Sequence, residues 1–506
     1  MKNKLKLKEI FIRKPLMDIV SFEYKKNGDW DDKGLEITGI SDQSCDIKPG
    51  NIFFAVNGNK SHGANYILEA IENGAKLAIS DEKGIEIIKN INKDFFTLQV
   101  EDVRKSLSIC ASNWFENQPR NIIAVTGTNG KTSISNFVLQ MWENMSLKAV
   151  SIGTLGVQGY IEKQTNLTTP GTIEFHKILA GLFQEGIENV IIEASSHGIS
   201  QSRIDGVKIS AAAFTNLSRD HLDYHKNELE YFISKAKLFY TILPENSNSI
   251  INLDSDYGST IKLICEEKSQ KVFSIGNQVG SDLQIISIKP LETKQLVKFS
   301  FKGKKYVETL SLIGKFQAYN ALMSALIVIS QGYDDEKVFS ELKRLKNVPG
   351  RMELVGTKKT GGSVFVDFAH TPDALLKALK ALRSHSFGNL FVLFGSGGDR
   401  DVGKRSMMGK VAYENSDRAY ITDDNPRNED PKSIRTSIIK GCPNAIEIPD
   451  RAEAILRAIK ELNEGDILLI AGKGHETGQT IDDITYPFCD AEQASMSILA
   501  LEGEIP

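Results

Sequence analysis

Residues 127–133 read Gly-Thr-Asn-Gly-Lys-Thr-Ser, and this run can do phosphate chemistry. Glycines let backbone N–H groups close around phosphate oxygens. Lys131 can reach terminal phosphates, and the Thr132 hydroxyl can hold Mg²⁺. Val125 stands where the usual G-x-x-x-x-G-K-[ST] pattern has its first glycine. A plain strand–helix turn is the competing reading, and the flanks weigh against it. Residues 122–125 are an apolar β-type run. Ile134, Phe137, Val138 and Met141 then recur at i, i+3, i+4 and i+7, one face of a helix. The N-terminus of that helix adds partial positive charge at the loop.

Four more groups invite chemistry. Glu193 ends an apolar strand at 190–192, where a carboxylate can bind the Mg²⁺ that bridges nucleotide phosphates; a solvated strand-end acid is the plain alternative. His221 lies in a stretch dense in Arg, Asp and His, 216–225, and reads as a metal or phosphate contact against a structural histidine. Lys235, in an expected helix, is by composition alone a surface lysine. Glycine-rich loops at 395–401 and 472–476 permit close backbone approach to a ligand. Arg400, Arg427 and Glu476 near them suit a ligand bearing carboxylates and an ammonium group, with salt bridging near the surface as the alternative.

The elements that must position these groups follow from pattern and size. A chain of 506 residues has a prior of about three domains. Hydrophobic content of 41% and charged content of 25% are those of an ordinary soluble protein. A net charge of −4 without a basic tract argues against nucleic acid as a partner. Five scattered cysteines without C-x-x-C pairing read as reduced thiols in a cytoplasm. The basic N-terminus has no apolar core of a secretory signal, and no apolar run is long enough to span a membrane.

Residues 1–118 are expected to form a small α/β domain, with strands at 52–56 and 77–79 and helices at 66–71 and 103–115. Residues 119–348 alternate strands and helices, which predicts a mainly parallel sheet with its polar loops (166–171, 194–198, 216–225) beyond the strand carboxyl ends. An antiparallel addition is expected within 268–312, where apolar residues alternate, and a helix at 318–330 closes the domain. Residues 349–506 give strands at 364–366, 390–394, 419–422 and 467–470, each ending in a polar loop. The fold class is α/β: a small N-terminal α/β domain, a central P-loop parallel-sheet domain and a C-terminal Rossmann-like domain.

The motifs TGTNGKT, EASSHG with Gln201 and Arg203, FTNLSRDHLDYH, YFISKAKLF, GRMELV, VDFAHTPDAL, GSGGDRD, TDDNPR and AGKGHE occur in this order. Together they resemble the Mur ligase family over nearly the whole chain. The resemblance implies an N-terminal domain gripping the UDP end of the substrate, a central ATPase and a C-terminal domain bringing an amino acid. It implies an ATP- and Mg²⁺-dependent carbon–nitrogen ligase of peptidoglycan synthesis, and so a part in cell-wall growth, cell shape and division. The expected reaction adds meso-diaminopimelate to UDP-N-acetylmuramoyl-L-alanyl-D-glutamate through an acyl phosphate. Alternatives are a related ligase adding L-lysine, a folylpolyglutamate synthase-like enzyme, or an ATP-binding regulatory protein with a degenerate site. A cytoplasmic monomer is expected.

Residue roles come with the resemblance. Gly127, Thr128, Asn129, Gly130, Lys131, Thr132 and Ser133 resemble the ATP loop. Asn320, Arg351, Asp367 and His370 resemble residues near adenine, ribose or γ-phosphate. Thr132 and Glu193 resemble ligands of one Mg²⁺, and His221 and Lys235 those of a second, with Lys235 carbamylated. Lys131, Lys235 and His221 would be catalytic. Ser44, Thr168, Thr169, Ser195, Gln201 and Arg203 resemble contacts to the UDP-muramoyl dipeptide. Arg400, Asp424, Asn425, Pro426, Arg427, Gly472 and Glu476 resemble the diaminopimelate site, where the Asp-Asn-Pro-Arg run marks specificity for that amino acid over lysine. Gln43, Cys45, His62 and Leu167 depart from the family's pattern, which bears on the uridine and phosphate contacts.

Overall fold

Short strands such as Asn51–Phe54 and Leu77–Ser80 are buried at every position, as strands with both faces covered must be. The computed structural model describes residues 3–4, 13–58, 61–220, 224–291 and 294–503. They form two compact units. One takes the chain up to Thr126 with Met145–Ala212 and Ser234–Ser247; the other takes Gly127–Asn144, Ala213–Ile233 and the chain from Asn248.

The first unit begins with a five-stranded sheet in the order Lys25–Lys26, Thr97–Gln99, Leu77–Ser80, Asn51–Phe54, Gly39–Ser41. Its pairs are parallel except at the Lys25–Lys26 edge. Ile52 and Phe54 face one apolar cluster with Leu107, Cys110 and Ala111, and Phe53 and Ala55 face another with Ile67 and Ile88. The helix Val103–Phe115 has the bounds its periodicity predicts. Parallel strands Asn121–Thr126, Asn189–Glu193 and Ala149–Gly153 follow, edged by the antiparallel Gly156–Gly159. Glu193 pairs in register with Val125, two residues before Gly127.

In the second unit, parallel strands Asn248–Asn252 and Lys271–Gly276 lead into Leu283–Pro290, Gln295–Phe301 and Lys304–Leu310. The last three pair antiparallel, the expected addition. Helix Lys131–Asn144 packs on helix Lys315–Ser330, where Ser324 Oγ donates to the Ile134 carbonyl at 3.3 Å. Ile134, Phe137, Val138 and Met141 are all 0% exposed, so the apolar stripe read from the sequence is the packed face.

The last third is doubly wound. Its sheet runs Glu353–Thr357, Ser363–Asp367, Ile467–Ala471, Leu390–Phe394, Arg418–Ile421, Ile446–Glu447, antiparallel only at the first pair. Alternation with period two divides it. Leu390, Val392, Phe394, Ile467 and Leu469 face helices Pro372–Arg383, Gly403–Asn415 and Pro431–Ile439. Phe391, Leu393, Leu468 and Ile470 face Arg451–Lys460 and Asp490–Leu501. Thr371 and Asp430 cap their helices with proline next in line, which sets where each begins. Among the described residues, no helix is long and apolar enough to cross a membrane.

One local expectation fails. The segment 194–198, read as a loop, runs into the short helix Ser196–Ser200. Ser195 caps it by accepting the Gly198 N–H at 3.1 Å, a side-chain preference that a count of polar residues misses.

Candidate active site

Gly127 and Gly130 hold φ of 143° and 92°. A β-carbon at Gly127 would lie 1.9 Å from Thr215 Oγ1, and one at Gly130 2.7 Å from Asn320 Oδ1. Only glycine fits at both. The Thr128 N–H donates to the Asn216 carbonyl at 2.8 Å and the Asn129 N–H to Asn216 Oδ1 at 3.0 Å. Thr215 Oγ1 and Asn216 Nδ2 donate to the Asn129 carbonyl at 2.7 and 3.0 Å. The segment after strand Ala211–Phe214 thus serves as the mould of the loop. Lys131 Nζ folds back onto the carbonyls of Gly127 and Thr128 at 2.8 and 2.9 Å.

Residues far along the chain converge on this loop. Arg351 Nη2 donates to Thr132 Oγ1 at 3.3 Å, and the guanidinium stacks 4.3 Å from the Phe368 ring centroid. Asp367, at a strand end, accepts the Met352 N–H at 2.7 Å. Burial raises its carboxyl above the ordinary value, with Arg351 opposing. His370 Nδ1 lies 2.9 Å from the Phe368 carbonyl and Nε2 3.6 Å from Asp220 Oδ2. Asn129 Nδ2 donates to Asp373 Oδ2 at 3.2 Å. These contacts link the loop, Asn320, Arg351, Asp367 and His370. Asp220 and Asp373 were missed; both stand in motifs already singled out.

In the first unit Glu193 is 2% exposed. Its Oε1 accepts the Thr154 N–H at 2.9 Å and its Oε2 the Thr154 hydroxyl at 3.0 Å. A side chain at Gly153 would collide with it, at 2.1 Å. Sequence reasoning overlooked Thr154, although it directly follows the buried strand Ala149–Gly153. The solvated-acid reading of Glu193 is overturned. Around its backbone, Thr169 Oγ1 donates to the Glu193 carbonyl at 2.7 Å and accepts the Ser195 N–H at 3.0 Å. Arg203 Nη1 donates to the Thr169 carbonyl at 2.6 Å while its Nε and Nη2 fork onto Gln201 Oε1. Thr168, Thr169, Ser195, Gln201 and Arg203 are one polar patch. Ser44 is not part of it: its hydroxyl donates to Glu69 at 2.6 Å.

His221 lies outside the described residues. Lys235, read from composition as a surface residue, is 1% exposed in helix Glu228–Lys237. That surface reading was wrong. Among the described residues no three His, Cys, Asp or Glu side chains gather as a metal site. Mg²⁺ does not need such a cage: it is held by one or two protein oxygens with phosphates and water, and the Thr132 hydroxyl and the buried Glu193 carboxylate fit that donor chemistry.

In the last third, Arg427 sits at φ 51°. Its Nη1 donates to the Gly398 carbonyl at 2.7 Å. Burial and then the neighbouring Arg400 depress its affinity for its proton, with Asp424, Glu476 and Asp399 opposing. Arg405, missed in the sequence, pairs bidentately with Glu429 at 2.9 Å and 2.9 Å and so braces the 397–399 loop, whose Asp399 N–H also meets Glu429. Arg451 and Asp490, both fully buried, pair at 2.7 Å. Arg451 Nη2 also donates to the Ala471 carbonyl at 3.0 Å, fixing the strand end before Gly472. Asn425, Pro426 and Asp424 are buried, and Arg400 is exposed.

Strand, glycine loop, Lys-Thr and helix, with a second doubly wound sheet lending an arginine to the loop threonine, define an α/β enzyme that works on a nucleotide phosphate. Family models described as "Mur ligase family, catalytic domain", "Mur ligase middle domain" and "Mur ligase, glutamate ligase domain" match residues 36–112, 125–328 and 350–474. A UDP-N-acetylmuramoyl-L-alanyl-D-glutamate–2,6-diaminopimelate ligase of Bradyrhizobium diazoefficiens is 41% identical over 472 residues, 92% of this chain and 95% of its own length. One of the same name from Rickettsia bellii is 41% identical over 477 residues, 92% of this chain and 97% of its own. A solved structure of that name superposes with a TM-score of 0.69 at 28% identity, covering 97% of this chain and 100% of its own. The MurF ligase of Thermotoga maritima in complex with ADP gives 0.60 at 19%, covering 92% and 98%. The chain belongs to the Mur ligase family, ATP-dependent ligases that form amide bonds, and has the family's three-domain α/β fold.

Proposed function

We infer that this chain adds meso-diaminopimelate to UDP-N-acetylmuramoyl-L-alanyl-D-glutamate, with ATP, as a cytoplasmic step of peptidoglycan synthesis. Relatives about 41% identical over 92% of the chain bear that activity in their names. The observation that carries the amino-acid assignment is Arg427, a guanidinium pressed by burial and by Arg400. A carboxylate arriving there relieves both strains. The distal carboxylate of diaminopimelate is that group, and lysine has none. A site shaped for it loses that bidentate pairing when lysine enters. The domains are taken as 1–118, 119–348 and 349–506.

The chemistry is activation followed by acyl transfer. A γ-carboxylate oxygen of the D-glutamyl residue attacks the γ-phosphorus of ATP. The bond from phosphorus to the β–γ bridging oxygen breaks, ADP leaves, and an acyl phosphate remains. The uncharged amine of diaminopimelate attacks the acyl carbon. The tetrahedral adduct expels inorganic phosphate, nitrogen loses a proton, and an amide is left. A carboxylate is a poor electrophile, and phosphorylation supplies its leaving group.

Backbone N–H groups where the loop enters the helix, from Gly130 on, would hold the β- and γ-phosphate oxygens, and Lys131 would exchange two carbonyls for the γ-phosphate, stabilising charge as it moves to the leaving oxygen. Arg351, already on Thr132, adds a cation on the other flank. Bound Mg²⁺ neutralises phosphate charge; Thr132 and Glu193 would be ligands. Lys235, with His221, would serve a second ion as a carbamate. Thr168, Thr169, Ser195, Gln201 and Arg203 would meet the muramoyl dipeptide, and Ser44 a different part of the same long substrate.

The test is phosphate release by purified protein given ATP, Mg²⁺ and UDP-muramoyl dipeptide. Addition of meso-diaminopimelate should stimulate it and L-lysine should not. Stimulation by lysine alone would sink the assignment.

A further inference from the structure

We propose that Lys473 is a positioning residue for the amino-acid substrate, its buried ammonium holding Asn425 and Glu476 in the arrangement that receives the ligand. This rests on reading the 395–401, 424–427 and 472–476 segments as the diaminopimelate site.

Lys473 is 0% exposed. Its Nζ donates to Asn425 Oδ1 and to Glu476 Oε2, both at 3.0 Å. Asn425 Nδ2 donates to the same Glu476 oxygen at 2.9 Å. Lysine, asparagine and glutamate thus close a three-membered ring across two loops that are 48 residues apart in the chain. The ring uses one oxygen of Glu476. Oε1 stays outside it, on a side chain that is 34% exposed, and is the atom left to accept an ammonium from the ligand. Asn425 Oδ1 also accepts the Thr480 N–H at 2.9 Å, so its amide is fixed in one orientation with one N–H to spare.

A buried ammonium is a poor way to fill space, since a hydrocarbon of the same volume packs without desolvation. Its presence needs a reason, and the ring gives one. The loop has no slack with which to find this geometry unaided. A β-carbon at Gly474 would lie 2.7 Å from Phe368 Cβ and 2.8 Å from the Gly350 carbonyl oxygen. The hairpin of Gly478–Ile481 and Ile484–Pro487 grips the other end of the motif: Gln479 Nε2 donates to the Asp424 carbonyl at 2.8 Å. The Arg427 N–H meets the Thr480 carbonyl at 3.1 Å, and the Arg427 carbonyl accepts the Asp482 N–H at 2.8 Å. The hairpin holds the backbone of Arg427 in its left-handed conformation, while Lys473 holds the polar side chains beside it. Acting through Glu476 and Asn425, Lys473 governs how the amino acid is bound and leaves nucleotide binding alone.

The experiment is a double-mutant cycle in the full-length protein with Lys473→Met, Glu476→Gln and the pair, read as separate KM values for diaminopimelate, ATP and UDP-muramoyl dipeptide together with kcat and melting temperature. Lys473→Met should raise the diaminopimelate KM about tenfold or more, with the other two KM values within about twofold. The double variant should match Glu476→Gln to within about threefold, because the lysine acts through that carboxylate. If Lys473→Met does not fold because Glu476 is left unpaired, the comparison of Glu476→Gln with the double variant still decides. An unchanged diaminopimelate KM, equal shifts in all three KM values, or additive losses in the cycle overturn the proposal. Wild-type protein is assayed alongside; if diaminopimelate fails to stimulate its phosphate release, the underlying reading falls as well.

Discussion

Lys131 donates to two carbonyls of its own loop, and the role proposed for it lies in turnover. Lys131→Met should retain its melting temperature yet fall below about 1% of wild-type phosphate release, the scale expected when one donor to a developing charge is lost. Unimpaired turnover would refute the role. Arg427 makes the opposite case, since it acts on binding. Arg427→Lys keeps the charge and loses the planar fork. Its diaminopimelate KM should rise about 10- to 150-fold, equivalent to about 1.5–3 kcal/mol for hydrogen bonds to a charged group, while the ATP KM holds. Equal use of diaminopimelate by both forms would remove Arg427 from the site. Residue type alone misled for Lys235. Tyr231, Ser234, Lys235 and Leu238 follow helical spacing, and all are buried. The period, not the composition, put the lysine inside.

Elements were more legible than residues because burial repeats with their period. The helix at 103–115, the strand at 390–394 and the antiparallel addition all follow from it. Period said nothing about which helices meet. Helix Thr172–Gln184 presents His176, 1% exposed, to Ser108 of helix Val103–Phe115, with Nε2 3.5 Å from the serine hydroxyl. Burial drives this imidazole from 6.5 down to about 3. The folded protein therefore refuses a proton that the unfolded chain accepts below 6.5. Stability from the neutral ring is complete above that value and is lost as pH falls from 6.5 toward 3, by about 1.4 kcal/mol per unit at most. Urea midpoints at pH 7.5 and 5.0 should differ by less in His176→Leu than in the wild type. An identical pH difference in both would show that the helix contact does not titrate in this range.

At the scale of the whole chain, the sequence shows which strands end in polar loops but not which loops meet. Thr132 and Arg351 are 219 residues apart, and Asn129 and Asp373 are 244 apart. No local pattern encodes such pairs; they arise when segments of the second unit that are distant in the chain fold together. Asp373 is informative because it stands at the start of helix Pro372–Arg383, contacts the phosphate loop through Asn129 and is also bonded by Lys377 at 2.8 Å. It is not among the residues assigned to either ligand. If its bond to Asn129 holds the loop in its nucleotide-ready shape, Asp373→Ala should raise the ATP KM about fivefold, the effect of losing one hydrogen bond worth about 1 kcal/mol. The diaminopimelate KM should stay within about twofold, since the 424–427 and 472–476 loops keep their own ring of contacts. Arg351→Ala, which withdraws a cation from Thr132, should do more to ATP than Asp373→Ala. An Asp373→Ala enzyme with an unchanged ATP KM and a raised diaminopimelate KM would assign the contact to the amino-acid end instead.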